Sequence, residues 1–420
     1  MNRAPWTWVP SLYLAQGVPY VLVVTVSTSV LKRLGVENAE IAFWTSWLYL
    51  PWVIKPLWSP FVELVGTRRQ WVLATQAGLG VALGLVAVAL PTPLWLQLTL
   101  AMLWVTAFAS ATHDIAADGV YLLGLDTKQQ AAFVGVRSTF YRIAMVLCEG
   151  PLVMLAGFLE TRVAPSLAWA AVFAVAALGF AVAFVLHRAL LPASPEDVGR
   201  GAPTLRGLLD GTRTIVADFA QKPAFVGAVA FLLLYRLAEA QLVKMIAPFL
   251  LDPRDAGGLA LTTAEVGLVK GTFGVVALLV GGVLGGVVIA RHGLRRWLLP
   301  MAFIMHVPDL VFVALAWAQP ESRWIIGAAV AAEQLGYGFG FTAYTMFLVQ
   351  LASGPHRTSH YAIGTGVMAL GMMVPGMVAG QIQEALGYLG FFVWVLVATL
   401  PGFVVAAWAA RSPIVTGSAP

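Results

Sequence analysis

Charged residues are scarce in this sequence. Asp, Glu, Lys and Arg make up only 11% of the 420 residues, well below the share of roughly 25% found in soluble domains. Hydrophobic residues account for 60%, and the mean hydropathy is +0.83. So little charge excludes an ordinary water-soluble domain, and the net charge of +5 gives no indication of nucleic-acid binding. The composition predicts an integral membrane protein.

Other absences narrow the range of functions. The single cysteine, Cys148, lies within a hydrophobic stretch and cannot form an intrachain disulfide. The chain has no phosphate-binding glycine loop, no Cys-x-x-Cys and no side chains at metal-ligand spacing. We therefore expect neither an enzyme nor an ATP-driven pump, and we expect no cofactor and no metal.

Long apolar runs recur along the chain. Runs of about 20 residues are long enough for a helix to cross the hydrocarbon core. We predict an all-α membrane protein with twelve spanning helices, at 9–31, 41–63, 71–91, 94–120, 133–159, 167–187, 223–250, 263–290, 297–317, 324–351, 359–386 and 389–410. Lys and Arg are concentrated in the loops on the side of both termini. The positive-inside rule then places both termini in the cytoplasm.

The longest hydrophilic interval, 188–222, divides six predicted spans from the other six. Short landmarks recur on both sides of it at a nearly constant separation: LYLAQ from Leu12 and LYRLAEA from Leu234, AEI from Ala39 and AEV from Ala264, and GTRRQW from Gly66 and GLRRW from Gly293. Two such halves repeated in parallel orientation are how the major facilitator fold is built. We predict two six-helix bundles, 1–190 and 223–420, joined by a cytoplasmic linker at 191–222.

Two aspartates end the fourth predicted span. A charge at the bilayer centre costs on the order of 2.5–3.5 kcal/mol, so ionisable residues there usually face a partner or a water-filled cavity. Asp114 and Asp118 are four residues apart and share one helical face. Two adjacent carboxylates do not both ionise easily in such a setting, so one is expected to hold a proton. Alternatively, Asp118 lies in the interface or pairs with a loop arginine. His113 points to another face, where packing or a hydrogen bond between helices is expected.

Basic and acidic residues are paired in the fifth and seventh spans. Arg142 and Glu149 are seven residues apart, and Arg236 and Glu239 are three apart, so each pair shares a helical face. Arginine binds carboxylates and phosphates bidentately, which indicates an anionic substrate. The alternative is that each pair only neutralises itself and holds helices together.

The tenth span contains the polar, glycine-rich stretch EQLGYGFGFTAY. We predict that Glu333 faces the central cavity, with Gln334 and Tyr337 near it, because glycines permit close approach of helices there.

Three further ionisable residues each have two possible positions. Lys55 and Lys270 either line the cavity or extend their amines to the membrane interface. Asp309 either contributes to the cavity or, beside His306 and a proline, ends a bent segment.

Seven stretches in both halves resemble the AmpG-like permeases, a branch of the major facilitator superfamily related to the acetyl-CoA transporters and to siderophore permeases. They are KPLWSP from Lys55, WVLATQ from Trp71, SATHDIAADG from Ser110, YRIAM from Tyr141, LLYRLAEA from Leu233, AEVGLVKGTFG from Ala264 and EQLGYGFG from Glu333. The resemblance covers nearly the whole chain and is specific for the family. It does not specify a substrate.

The resemblance implies a proton-coupled transporter that imports a sugar-peptide, most directly an anhydro-muropeptide, across the bacterial inner membrane. By this resemblance, four acidic residues match acidic positions of the family, and we assign them to proton coupling: Asp114, Asp118, Glu239 and Glu333. We assign substrate binding to Arg142, Arg236, Glu149, Gln334, Tyr337, Tyr13 and Gln16. The implied partners are a small anionic solute, protons and lipid, with the protein acting as a monomer. A siderophore permease of the same fold and a non-transporting sensor built on it are the alternatives.

Overall fold

The computed structural model describes residues 4–193, 197, 205–222, 224–353 and 357–416, and all regular elements in these ranges are helical. Parts of the predicted linker at 191–222 lie outside the described residues. Twelve helical passes, α1 to α12, follow one another: Pro5–Arg33, 38–64, Arg68–Ala89, Trp95–Gly124, Lys128–Glu160, Pro165–Leu190, Phe225–Leu251, Thr263–His292, Leu294–Ala318, Arg323–Leu351, 357–386 and 388–409. A further helix, Leu205–Ala220, lies between α6 and α7.

Nine stretches of the described residues are long and apolar enough to cross a membrane by length and composition. The other passes are interrupted or carry more polar residues. The most broken is α2, which consists of Asn38–Trp47, Leu50–Ile54, a 3₁₀ turn at Lys55–Leu57 and Ser59–Leu64. Its prolines cannot donate the helical hydrogen bond, so the helix changes direction at these positions.

Gly387 separates the last two passes. Its backbone adopts φ 67° and ψ 173° between otherwise helical neighbours. This conformation lies in the positive-φ region that glycine enters without steric cost. The predicted boundary between spans 359–386 and 389–410 therefore coincides with a turn in the structure.

Irregular turns interrupt the helices near the middle of several passes. Wide π-helical turns occur at Leu22–Val26 in α1, Cys148–Leu152 in α5 and Gly267–Gly274 in α8. The helix α7 breaks between Leu234 and Leu237, and α9 changes to a 3₁₀ turn at Val307–Asp309. Such turns commonly mark functional positions because they redirect side chains away from the regular helical faces.

Helices α1 to α6 pack mainly with one another, as do α7 to α12, and among the described residues four main pairs join the two halves. These pairs are α1 with α7, α2 with α7, α2 with α11, and α5 with α8. Glycines allow the backbones to touch: a Cβ on Gly157 would lie 2.2 Å from Ala264 N, and one on Gly271 would lie 1.7 Å from Glu149 O. We call the α5–α8 contact the backbone seam.

Polar contacts join the halves at the end of the molecule that carries residues 34–37 and 252–262. The Lys32 ammonium lies 2.7 Å from Asp252 Oδ1, and the Tyr388 hydroxyl donates to Asp252 Oδ2 at 2.5 Å. The Asn38 amide donates to Gln383 at 2.6 Å. In the described residues, the two halves are thus joined at this end, which we call the clamped end.

Candidate functional site

Asp114, on α4, lies beside two side chains of α2. The indole Nε1 of Trp52 donates to Asp114 Oδ2 at 3.2 Å, and Lys55 Nζ is 3.6 Å from the same oxygen. Gln16 of α1 is buried beside them. The break in α2 turns Lys55 toward a carboxylate in the interior. Of the two positions predicted for its amine, the structure therefore has the one in the cavity and not the one at the membrane interface.

Asp118, one turn further along α4, has a different set of partners. Arg137 Nη2 lies 3.0 Å from Asp118 Oδ1, and the Tyr13 hydroxyl donates to the same oxygen at 3.0 Å. The Arg137 guanidinium is 4.6 Å from the centroid of the Tyr13 ring, close enough for a cation–π contact. The side chain of Asp118 is 40% exposed, so water reaches this part of the site.

The two aspartates therefore do not form the isolated acid pair that their spacing indicates, because each has its own cation. The predicted loop arginine for Asp118 is instead a helical one, Arg137 of α5, which the sequence reading missed. Its signal was its place in VGVRSTFYRIAM, five residues before Arg142 on the same predicted span.

Arg142 and Glu149 are both on α5 but do not contact each other as an ion pair. Glu149 instead pairs across the backbone seam with Lys270 of α8, at 2.5 Å. Residues seven apart are about 10.5 Å apart along a helix, so both side chains face α8 but each meets a different part of it. Arg142 is half-buried and forms no ion pair with the described residues, and its guanidinium lies against Gly282 of α8.

Arg236 lies at the break in α7, where its backbone is not helical. It donates to the Tyr337 hydroxyl, and its guanidinium lies 4.8 Å from the ring centroid of Phe341 and 5.8 Å from that of Tyr344. The aromatic rings come from α10. The side chain turns toward them and makes no ion pair with Glu239 among the described residues, so the expected pairing on one helical face is not what the structure has.

Three buried carboxylates meet on the other side of this break. Glu239 of α7, Asp309 of α9 and Glu333 of α10 each place an oxygen within 4.8 Å of the others. They are 3%, 2% and 0% exposed, which excludes bulk water. The Gln334 amide donates to Glu333 at 2.9 Å. We call these three residues the acid cluster. The sequence did not decide whether Asp309 contributes to the cavity or ends a bent segment, because a bend does not reveal where the side chains point.

A row of aromatic side chains of the first half lies against a lysine of the second half. The Tyr20 ring lies 5.1 Å from that of Trp52 and 6.5 Å from that of Tyr49. Lys244 of α7 lies 5.0 Å from the centroid of the Tyr49 ring and donates to Thr45 at 3.0 Å. Lys244 is 1% exposed and has no ion-pair partner among the described residues. Sequence analysis missed this lysine as a site residue, although it is one of the few charges in its span.

A second buried network lies within the first six helices. The Gln76 side chain bridges two imidazoles, 3.1 Å from His113 Nε2 and 2.7 Å from His187 Nδ1, and Ser11 Oγ is 3.0 Å from His187 Nε2. All three larger side chains are 0% exposed. His113 thus makes the hydrogen bond between helices that its helical face predicts, and it points away from Asp114's partners.

The interior of the molecule therefore offers three kinds of group. Arg142, Arg236 and Lys244 are cations without a carboxylate partner among the described residues and suit the binding of anions. The aromatic row offers flat faces for rings of a ligand. The acid cluster offers buried carboxylates that can hold protons.

A model of the BT1 family matches residues 16–390. The anhydromuropeptide permease of Escherichia coli K12 is 27% identical over 402 residues, which covers 94% of this chain and 77% of that protein. The putative transporter AmpG 4 of Rickettsia conorii is 23% identical over 409 residues, covering 94% of both chains.

Solved structures resemble the whole fold. A D-xylose–proton symporter superposes with a TM-score of 0.73 at 13% identity, covering 99% of each chain. A bacterial homologue of the human lysosomal transporter Spinster, in an inward-facing and occupied conformation, gives 0.69 at 15% identity, covering 96% of this chain and 95% of that one. At such identities the likeness concerns the fold alone, and it confirms the predicted major facilitator fold of two six-helix bundles.

Proposed function

Because the chain belongs to the BT1 family, we propose that it is a proton-coupled permease that imports an anhydro-muropeptide across the bacterial inner membrane into the cytoplasm. It is a membrane transporter of the AmpG type with the major facilitator fold. Its relatives are permeases and transporters, which agrees with the expectation that it is no enzyme. In the proposal it acts as a monomer with both termini in the cytoplasm.

One observation carries the choice of substrate class. Arg236 is partly buried against aromatic side chains of α10, and the fully buried Lys244 ends an aromatic row, yet neither cation has a carboxylate partner among the described residues. A buried cation without a counter-charge is costly, and an anionic ligand supplies that charge. A sugar-peptide has both carboxylates for the cations and sugar rings for the aromatic faces.

The proposed division of labour follows the two halves, 1–190 and 223–420, with 191–222 connecting them. Arg142 and Arg236, one from each half, bind the anionic groups, while Tyr13, Gln16, Glu149, Gln334 and Tyr337 shape the site. Asp114, Asp118, Glu239 and Glu333 take up and release the coupled protons. Because ligand groups then contact both halves, binding favours the conformations in which the halves approach one another.

The test is transport by the purified full-length protein in proteoliposomes. Counterflow of labelled anhydro-muropeptide and uptake driven by an imposed pH gradient should both occur, and Arg142→Ala and Arg236→Ala should each reduce counterflow by at least about tenfold through loss of a charge-assisted contact. Arg295→Ala, at an exposed position, is the matched control. Counterflow with a ferric siderophore but not with the muropeptide would overturn the substrate assignment.

A further inference from the structure

The acid cluster has oxygen atoms without hydrogen-bond partners. Among the described residues, Oδ2 of Asp309 and Oε1 of Glu333 accept no hydrogen bond, although both side chains are almost completely buried. Two cations lie near the cluster, but neither forms an ion pair with it among the described residues: Arg236 donates to the Tyr337 hydroxyl, and Lys270 pairs with Glu149. Three ionised carboxylates in such a place would be strongly unfavourable, so the cluster requires bound positive charge.

His306 identifies the position of one such charge. Its Nε2 lies 3.0 Å from the carbonyl oxygen of Tyr235. A carbonyl oxygen only accepts, so the hydrogen of a neutral imidazole must be on Nε2. Nδ1 then presents a lone pair toward Asp309 Oδ2, 3.6 Å away.

Two lone pairs cannot face each other favourably without a proton between them. Either Asp309 carries the proton and donates it toward Nδ1, or the imidazole carries it and donates toward the carboxylate. Both arrangements place one proton between Nδ1 and Oδ2, in addition to the hydrogen on Nε2, and leave the pair with no net charge. This observation is independent of the acidic cluster, because it depends on an imidazole held by a backbone carbonyl of another helix.

The backbone at this point departs from a regular helix. His306 and Asp309 are on either side of Val307 and Pro308, in the 3₁₀ turn that interrupts α9. Proline removes one helical hydrogen bond, so a small rotation here changes the separation of the imidazole and the carboxylate. One carboxylate oxygen each of Glu333 and Glu239, on two other helices, lies within 4.8 Å of an Asp309 oxygen.

We propose that Asp309, with His306 as its proton partner, is the residue at which the coupled proton is held in the second half, and that Glu239 and Glu333 exchange this proton with it. The proposal rests on the proposed function, since it assigns the proton that drives transport. It adds to the coupling residues a carboxylate and an imidazole that the sequence did not assign. Asp114 and Asp118 lie in the first half, where they are paired with Lys55 and Arg137, and they do not hold this second-half proton.

The first measurement needs no substrate. Infrared difference spectra of the purified full-length protein between acidic and alkaline buffer report the C=O stretch of protonated carboxyl groups. A titrating band should be present, should be lost in Asp309→Asn, and should titrate at a different pH in His306→Gln. Glu321→Gln, at an exposed position, should leave the band unchanged.

The second measurement links the site to transport. One pH unit moving one proton corresponds to about tenfold accumulation, so the ratio of gradient-driven accumulation to counterflow should fall by about tenfold in Asp309→Asn under a gradient of that size. Asp309→Glu should recover part of it. An unchanged band and ratio in Asp309→Asn would overturn the proposal, as would a band abolished by replacing KCl with NaCl at constant pH, which would make the ligand Na⁺. Failure of the wild type to transport muropeptide would instead contradict the proposed substrate and leave the infrared result standing.

Discussion

The ion pair between Glu149 and Lys270 lies across the backbone seam and is present only while the two halves are together. Its atoms are 2.5 Å apart, and the side chains are 9% and 12% exposed. Replacing Lys270 by Met leaves the Glu149 carboxylate buried without a cation, which typically costs about 3–5 kcal/mol. When the halves separate, the carboxylate regains water and the cost disappears.

The substitution should therefore shift the equilibrium toward the separated arrangement at the clamped end. Taking about 3 kcal/mol, the ratio of separated to joined molecules rises by on the order of 100-fold. The double variant Lys270→Met with Glu149→Gln has no buried charge at this position. It should return most of the way to the wild-type ratio.

The assay is the reaction of one thiol with a water-soluble maleimide. Ser29 is 5% exposed and lines the same recess as Glu149 and Lys270, so Ser29→Cys in a Cys148→Ala background reports on separation of the halves. The labelling rate should rise by about 10–100-fold in Lys270→Met. Lys128→Met, at an exposed position, controls for the loss of a positive charge. A wild-type labelling rate in Lys270→Met, or equally fast labelling of the double variant, would refute this reasoning.

Three further predictions concern other contacts. Arg137→Gln leaves Asp118 without its cation and should lower the initial rate of uptake by about tenfold, and adding Asp118→Asn should restore part of that rate; no restoration would mean that Arg137 acts otherwise than through Asp118. Exchanging the charges of Lys32 and Asp252 together should retain slow maleimide labelling at the clamped end, whereas either single reversal should accelerate it; equal rates in all three would remove this pair from closure. Gln76→Leu leaves two buried imidazoles short of hydrogen bonds and should lower the free energy of unfolding by about 2 kcal/mol, measured as earlier thermal aggregation in detergent, and an unchanged transition would contradict the structural role.

The sequence predicted the helices well because the signal for a membrane pass is carried by consecutive residues. Long apolar runs and a hydrophilic interval in the middle were enough for the number of passes and the fold. Even the boundary at Gly387 followed from local composition. The duplicated landmarks added the major facilitator arrangement, which comparison with solved structures confirms.

Partners across helices were harder to predict. Periodicity correctly places Arg142 and Glu149 toward one neighbouring helix, α8, but it does not show which residue of α8 each of them meets. Lys270 and Arg137, the observed partners of Glu149 and Asp118, are distant in sequence or were read as ordinary helix residues. A regular spacing assumes a regular helix, and this protein departs from it where its polar side chains lie.

Asp309 illustrates a different limit. Beside a proline, an acidic residue looks like the end of a segment, and one sequence gives no information on the helices that pack against it. Only the packing of α7 and α10 against α9 brings Glu239 and Glu333 to it. Buried clusters made from single residues on separate helices have no local signature.

The backbone seam also affects whether water and protons can pass between the two halves. At Gly157 and Gly271 peptide groups of α5 and α8 meet directly, with no space for a side chain between them. A junction of this kind does not depend on which rotamers its side chains adopt, so it closes in the same way in each transport cycle. At these glycine contacts there is no space for water between the two backbones. In the proposed proton-coupled cycle, such a contact keeps protons from crossing between the halves without cargo.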